Sequence, residues 1–168
     1  MQDQRSNTIK AYFIALIILL LWMLGPMLPW VLDDGAGLLW RFQYRYLCHQ
    51  IPDRCIRLHG IPMAVCERCF GIYAGLFAGG VLYWPLKKWD ELLMAKARWL
   101  MGIGALVVFI HWAGPVVALW EGNVTGRVIT GFVFGIICGY YATKGLSALI
   151  LEVWRIKWRL LFQNPNRK

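Results

Sequence analysis

Charge is scarce in this chain, and acidic charge scarcest. Asp and Glu together number 9 against 18 Lys and Arg, and charged residues make up only 16% of the 168 positions. A soluble domain carries about a quarter charged residues. Hydrophobic residues reach 59%, more than a single core of this size can bury. This balance excludes a disordered chain, a disulfide-only mini-protein and an ordinary soluble enzyme. Chemical motifs are few as well. Phe70 follows Cys69, so no Cys-x-x-Cys-His run exists for covalent haem. No Gly-rich phosphate loop is found. No apolar run carries a stripe of polar residues, so a channel or transporter has no support.

What the chain has is long apolar runs. A membrane span needs about 20 mostly apolar residues. Four runs qualify: Ala11–Leu32, Met63–Leu86, Trp99–Trp120 and Val128–Ile150. The first has Arg5 and Lys10 before it, but it is too long for a signal peptide and no small-x-small cleavage site follows. The expectation is one membrane domain over residues 1–168. Its fold is all-α, a bundle of four transmembrane helices, with a re-entrant or interfacial helical outer loop at 33–62 and a basic tail at 151–168.

The net charge of +9 would suggest nucleic acid in a soluble protein. Its location says otherwise. With both termini in the cytoplasm, 12 of the 18 basic residues fall inside and 6 outside. That is the positive-inside asymmetry of a multi-pass inner-membrane protein. The bilayer is the partner this implies, and nucleic acid is not. The tail, with Trp154 and Trp158 among its basic residues, reads as a lipid-surface anchor.

Gly71, Gly75 and Gly79 in the second span are spaced by four, as are Gly131, Gly135 and Gly139 in the fourth. Such stripes let helix backbones approach closely in lipid. Gly25-Pro26 and Gly114-Pro115 predict kinks toward the outer ends of spans one and three.

The chemistry concentrates at the outer loop and the start of the second span. Four of the five cysteines (Cys48, Cys55, Cys66, Cys69) and two of the three histidines (His49, His59) lie there. Cys138, mid-span in the fourth run, reads as an inert small hydrophobe. Cys66, Cys69 and Tyr73 fall within about 60° of each other on a helix, opposite the glycines. A helix N-terminus and Arg68 both favour thiolate. Trp40, Phe42, Tyr44 and Tyr46 alternate with Arg41, Gln43 and Arg45, which suits a strand. An interfacial helix is favoured over Leu38–Leu47, because a lone strand at a membrane leaves its edges unpaired. His111, deep in the third span, is a functional candidate by its position. A histidine bonded to a neighbouring carbonyl is the structural alternative.

Cys48-His49-Gln50, Pro52 and Arg54, followed by Cys66-x-Arg68-Cys69-x-Gly71-Ile72-Tyr73-x-Gly75, resemble a family of small bacterial and archaeal membrane proteins grouped as a domain of unknown function. The resemblance covers roughly residues 44–80. It implies membrane location and a site, not a reaction. In that family the position of Cys55 is often serine, which implies that Cys48, Cys66 and Cys69 are the shared cysteines.

Three readings follow. In the first, Cys48, His49, Cys66 and Cys69 hold a metal, with zinc suited to a Cys₃His set. Adjacent Cys48 and His49 can reach one ion only through a contorted backbone, so Cys55, His59 or His111 could supply the fourth ligand. Gln50, Arg54, Arg68 and Tyr73 would support the site. In the second, the protein is a quinone-linked thiol–disulfide oxidoreductase, passing electrons between Cys66-Cys69 and Cys48-Cys55. In the third, the cysteines staple the outer loop and the protein assists a membrane-protein partner.

Overall fold

The computed structural model describes residues 2–32, 34–119 and 121–162, with only the backbone described at 2–5, 34 and 158–162. The expected loop start at Asp33, the expected span end at Trp120 and the tail beyond 162 lie outside the described residues.

The chain is mostly helical. Helix α1 runs over Gln2–Leu24 and tightens into a 3-10 segment over Gly25–Trp30. A short helix α2 (Asp34–Gln43) follows, then 3-10 turns at Tyr44–Tyr46 and Pro52–Arg54. A two-residue hairpin pairs β1 (Arg57–Leu58) with β2 (Ile61–Pro62). Helix α3 (Glu67–Leu86), the short α4 (Asp90–Ala95), α5 (Ala97–Val116) and the long α6 (Val124–Phe162) follow among the described residues. Four stretches are long and apolar enough to cross a membrane: Ser6–Trp30, Glu67–Ala95, Ala97–Val116 and Val124–Lys157. Large apolar side chains such as Phe13, Leu21, Trp99 and Phe109 point outward. A monomer in water does not sustain an apolar surface of this extent; in lipid it is solvated.

The bundle is built around α3 and α6, which pack along most of their shared length. Their glycine stripes face each other. A methyl group added at Gly75 would lie 2.8 Å from the Cα of Gly135 and collide with the carbonyl of Phe132. Gly71 and Gly79 meet the backbone of Val128 and Ile136 in the same way, and Gly131 and Gly139 meet that of Arg68 and Leu76. Period-four glycines open a flat track on each helix, and the two tracks are in backbone contact. Helix α1 packs on both partners, and α5 packs on α6.

The opposite end of α3 is closed by polar and aromatic contacts. Asp90 accepts from Lys144 at 2.6 Å and from the Tyr140 hydroxyl at 2.8 Å. Lys88 lies 4.5 Å from the ring centre of Trp89, and Arg98 lies 5.9 Å from that of Trp99, pairings suited to a membrane–water boundary.

Gly-Pro pairs act as helix ends more than as mid-helix kinks. Pro26 and Pro29 donate no amide, and α1 gives way to 3-10 geometry at Gly25. Pro115 sits in the last turn of α5, which stops in a left-handed cap at Ala118 (φ 57°).

The segment between spans one and two folds back over the end of α1. Trp40 donates to the Gly25 carbonyl at 2.7 Å, and Trp30 to that of Ile61 at 3.0 Å. The alternating aromatics form helix and 3-10 turn, not strand. The hairpin turn uses His59 (φ 50°) and Gly60 (φ 82°), the pair of left-handed residues that a tight two-residue hairpin requires. The second span was expected from Met63, yet α3 starts at Glu67. Met63, Ala64 and Val65 are fully buried and not helical. Their backbone groups find partners elsewhere: Met63 donates to Ile56, Ala64 donates to Pro26, and Ala64 accepts from Gln50. Apolar content alone reads this triplet as helix; the buried backbone bonds hold it in a bend instead.

Candidate metal centre

Three cysteines meet where this bent triplet enters α3. Cys66 is the N-cap residue of α3, and Cys69 lies one turn further. Cys48 follows the 3-10 turn at Tyr44–Tyr46, and its amide donates to the Tyr44 carbonyl at 2.9 Å. Cys48 is buried; Cys66 and Cys69 are half-buried. The three sulfurs all lie within 4.8 Å of one another. The Cys66 and Cys69 sulfurs are 3.5 Å apart. A disulfide needs about 2.05 Å. Two thiolates on one tetrahedral zinc, with Zn–S near 2.3 Å, lie about 3.8 Å apart. The three sulfurs are therefore unbridged and close enough together that they could hold a metal.

Two backbone amides converge on the Cys48 sulfur. Cys66 donates at 3.2 Å and Gln50 at 3.5 Å. The Cys66 thiol, then the Cys69 thiol, hold the Cys48 thiol far below its ordinary range, with these amides assisting against the opposing effect of burial. Gln50 keeps this geometry. It adopts a left-handed backbone (φ 50°), and its side-chain amide donates to the carbonyls of Arg41 at 2.5 Å and Ala64 at 2.7 Å. It thereby ties the end of α2 to the entry of α3. Tyr73 is buried in the same cluster as Cys48, Met63 and Val65, with its ring edge-on to Trp22 at 6.1 Å.

Beside the sulfurs opens a cavity of about 300 Å³. Cys66, Cys69, His49, Arg54, Arg68, Glu67 and Arg127 line it, with Ile51 and Trp112 as its apolar wall. His49 therefore faces the cavity, although only the three sulfurs form the tight group. Arg127 donates to buried Glu67 at 3.2 Å and to the Gly122 carbonyl at 3.0 Å. Arg68 lies 3.2 Å from Nδ1 of His111. A guanidinium only donates, so Nδ1 accepts and carries no proton. His111 thus meets Arg68 and not the sulfurs.

The remaining candidates are placed apart. Cys55 is buried outside the sulfur group and donates to the Ile51 carbonyl at 3.3 Å. Burial, then the nearby Cys48 and Cys66, push its thiol up to about 11. His59 is exposed on the hairpin turn. Glu67, Trp112 and Arg127 are cavity residues that the sequence reading did not single out. Glu67 sits inside the Cys66–Cys69 motif, and Arg127 is a lone charge opening the fourth apolar run. Those were the signals available for them.

The fold and the sulfur group define a class: a multi-pass helical membrane protein with a three-cysteine cluster that could hold a metal. The chain belongs to the family described as "Predicted membrane protein (DUF2085)", which matches residues 48–141. It is 33% identical over 141 residues to an uncharacterized protein of Methanocaldococcus jannaschii, covering 79% of this chain and 90% of that one. It is 46% identical over 112 residues to an uncharacterized protein of Methanothermobacter thermautotrophicus, covering 66% of this chain and 96% of that one. No solved structure matches it.

Proposed function

We propose that this protein binds a zinc ion through the thiolates of Cys48, Cys66 and Cys69, at the extracytoplasmic end of the second span. The observation that carries the reading is the grouping of three sulfurs within 4.8 Å, with no disulfide between them. Thiolate sets select zinc over hard cations. Amide donors on Cys48 favour its charged form. Cys66, Cys69 and His49 line the same cavity, so His49 or a small ligand would complete the coordination; a position left to a ligand is the mark of catalytic zinc sites. The excess of basic residues at the opposite end of the bundle supports termini in the cytoplasm.

The test is metal content and free-thiol count on one anaerobically purified sample. About one zinc per chain is expected, with three thiols shielded from alkylation until a strong chelator is added. A metal-free protein with Cys66 and Cys69 joined as a disulfide in the native membrane would overturn the zinc reading in favour of thiol–disulfide exchange.

A further inference from the structure

We propose that the cavity beside the sulfur group binds a small oxyanion of the phosphate class. Three guanidiniums, those of Arg54, Arg68 and Arg127, line it against one carboxylate, that of Glu67. Glu67 is already engaged with Arg127. Neither Arg54 nor Arg68 has a carboxylate partner among the described residues. A zinc ion with three thiolates would carry one net negative charge. Even against that charge one guanidinium is left uncompensated. The inference deepens the zinc reading, yet its charge argument holds without the metal.

Arg68 adds a second observation. Its Nε is buried with no hydrogen-bond partner, while its outer nitrogen is fixed on His111. A half-buried guanidinium beside a membrane interior is costly unless its donors are met. An oxyanion in the cavity would offset the charge of this guanidinium, a group whose planar fork suits phosphate oxygens. The site also lies at the N-terminal end of the 20-residue helix α3, where Cys66 provides no side-chain cap. The helix end favours negative charge in the same place. The volume of about 300 Å³ is at the small end of ligand pockets. It suits a single phosphate group rather than a large cofactor.

Such a phosphate could arrive free from the aqueous phase or on a phospholipid headgroup. The experiment separates them. Full-length protein is placed in nanodiscs of zwitterionic lipid in phosphate-free buffer and titrated with inorganic phosphate. Binding is read by ³¹P line broadening and by the shift in melting temperature, with zinc content measured on each sample. Saturable binding is expected, weakened about tenfold by Arg54→Gln, whose side chain is exposed, and similarly by Arg68→Gln. If instead nanodiscs containing phosphatidylglycerol raise the melting temperature of the wild type but not of Arg54→Gln, and free phosphate does not compete, the source is the headgroup. No saturable binding in either lipid overturns the inference, as does binding unchanged in both variants. One zinc per chain with no oxyanion bound defeats this inference alone. Oxyanion binding without any metal defeats the zinc reading alone.

Discussion

The backbone amide of Cys66 donates to the sulfur of Cys48 at 3.2 Å, across 18 positions of sequence. This contact joins the first turn of α3 to the loop that precedes it. Cys48 therefore holds two roles, as a sulfur of the group and as acceptor for two amides. Cys48→Ala should abolish zinc retention and cost about 1–3 kcal/mol for the amides left unmet. Cys48→Ser should lose zinc as well, but with a smaller fall in stability, because the hydroxyl still accepts. Cys55→Ser should keep its metal, since Cys55 stands outside the group. Elemental analysis and detergent melts of the three variants check this. Metal lost equally from Cys48→Ser and Cys55→Ser would refute the assignment.

Cys55 also makes a statement about pH. Its thiol is raised from an ordinary 9.0 to about 11, with burial the first cause. A raised thiol favours the folded state while it stays protonated. That contribution is complete below pH 9 and is lost as pH climbs through about 11. Wild type should therefore lose stability more steeply than Cys55→Ser between pH 9 and 11. Cys55 should also resist alkylation at pH 8 in the folded protein. Parallel melting curves for the two proteins over that range would show that the thiol is not held neutral.

Much of this arrangement is legible in the sequence, for physical reasons that differ by residue. The apolar runs announce themselves because lipid admits no other composition at that length. Gly71, Gly75 and Gly79 read as a packing track because a helix brings every fourth residue to one face. Their pairing with Gly131, Gly135 and Gly139 is not readable, since spacing does not say which track meets which. Cys66 and Cys69 read as one site because a helix turn joins them. Spacing alone does not separate Cys55 from Cys48, and would favour Cys55, the nearer in sequence to Cys66; only the family resemblance sets Cys55 apart. Arg127 reaches Glu67 from 60 positions away, and no local pattern anticipates it. Met63–Val65 mislead because an apolar triplet before a helix looks like its first turn.

The end of α5 offers a stabilising change. Leu119 donates to the Gly114 carbonyl at 2.9 Å and Ala118 to that of Pro115 at 3.4 Å, the paired bonds of a Schellman cap. Its left-handed position is filled by Ala118 at φ 57°, where an L side chain costs roughly 1–2 kcal/mol. Ala118→Gly relieves that cost and gives part of it back as unfolded-chain entropy. A net gain of about 0.5–1 kcal/mol is expected, read as a higher melting temperature with unchanged metal content.

The glycine tracks make the sharpest demand on the fold. At Gly75 any Cβ meets the Phe132 carbonyl and the Gly135 Cα, both of them backbone, so no side chain can turn aside. At Gly135 the Cβ meets the Ile72 carbonyl and the Gly75 Cα. The helices must part, and separating them also draws Arg127 on α6 away from Glu67 on α3. Gly75→Val and Gly135→Val should each cost about 3 kcal/mol or more and should lower zinc retention, although neither residue touches a sulfur. Gly145 lies on the same helix α6 with nothing within 4 Å of its Cβ position. Gly145→Ala should be neutral or stabilise by about 0.5–1 kcal/mol. Melting curves of the three variants in one detergent decide it. If Gly75→Val melts like Gly145→Ala, α3 and α6 do not meet through their glycines, and the close approach that sets Arg127 beside the cysteines has no basis.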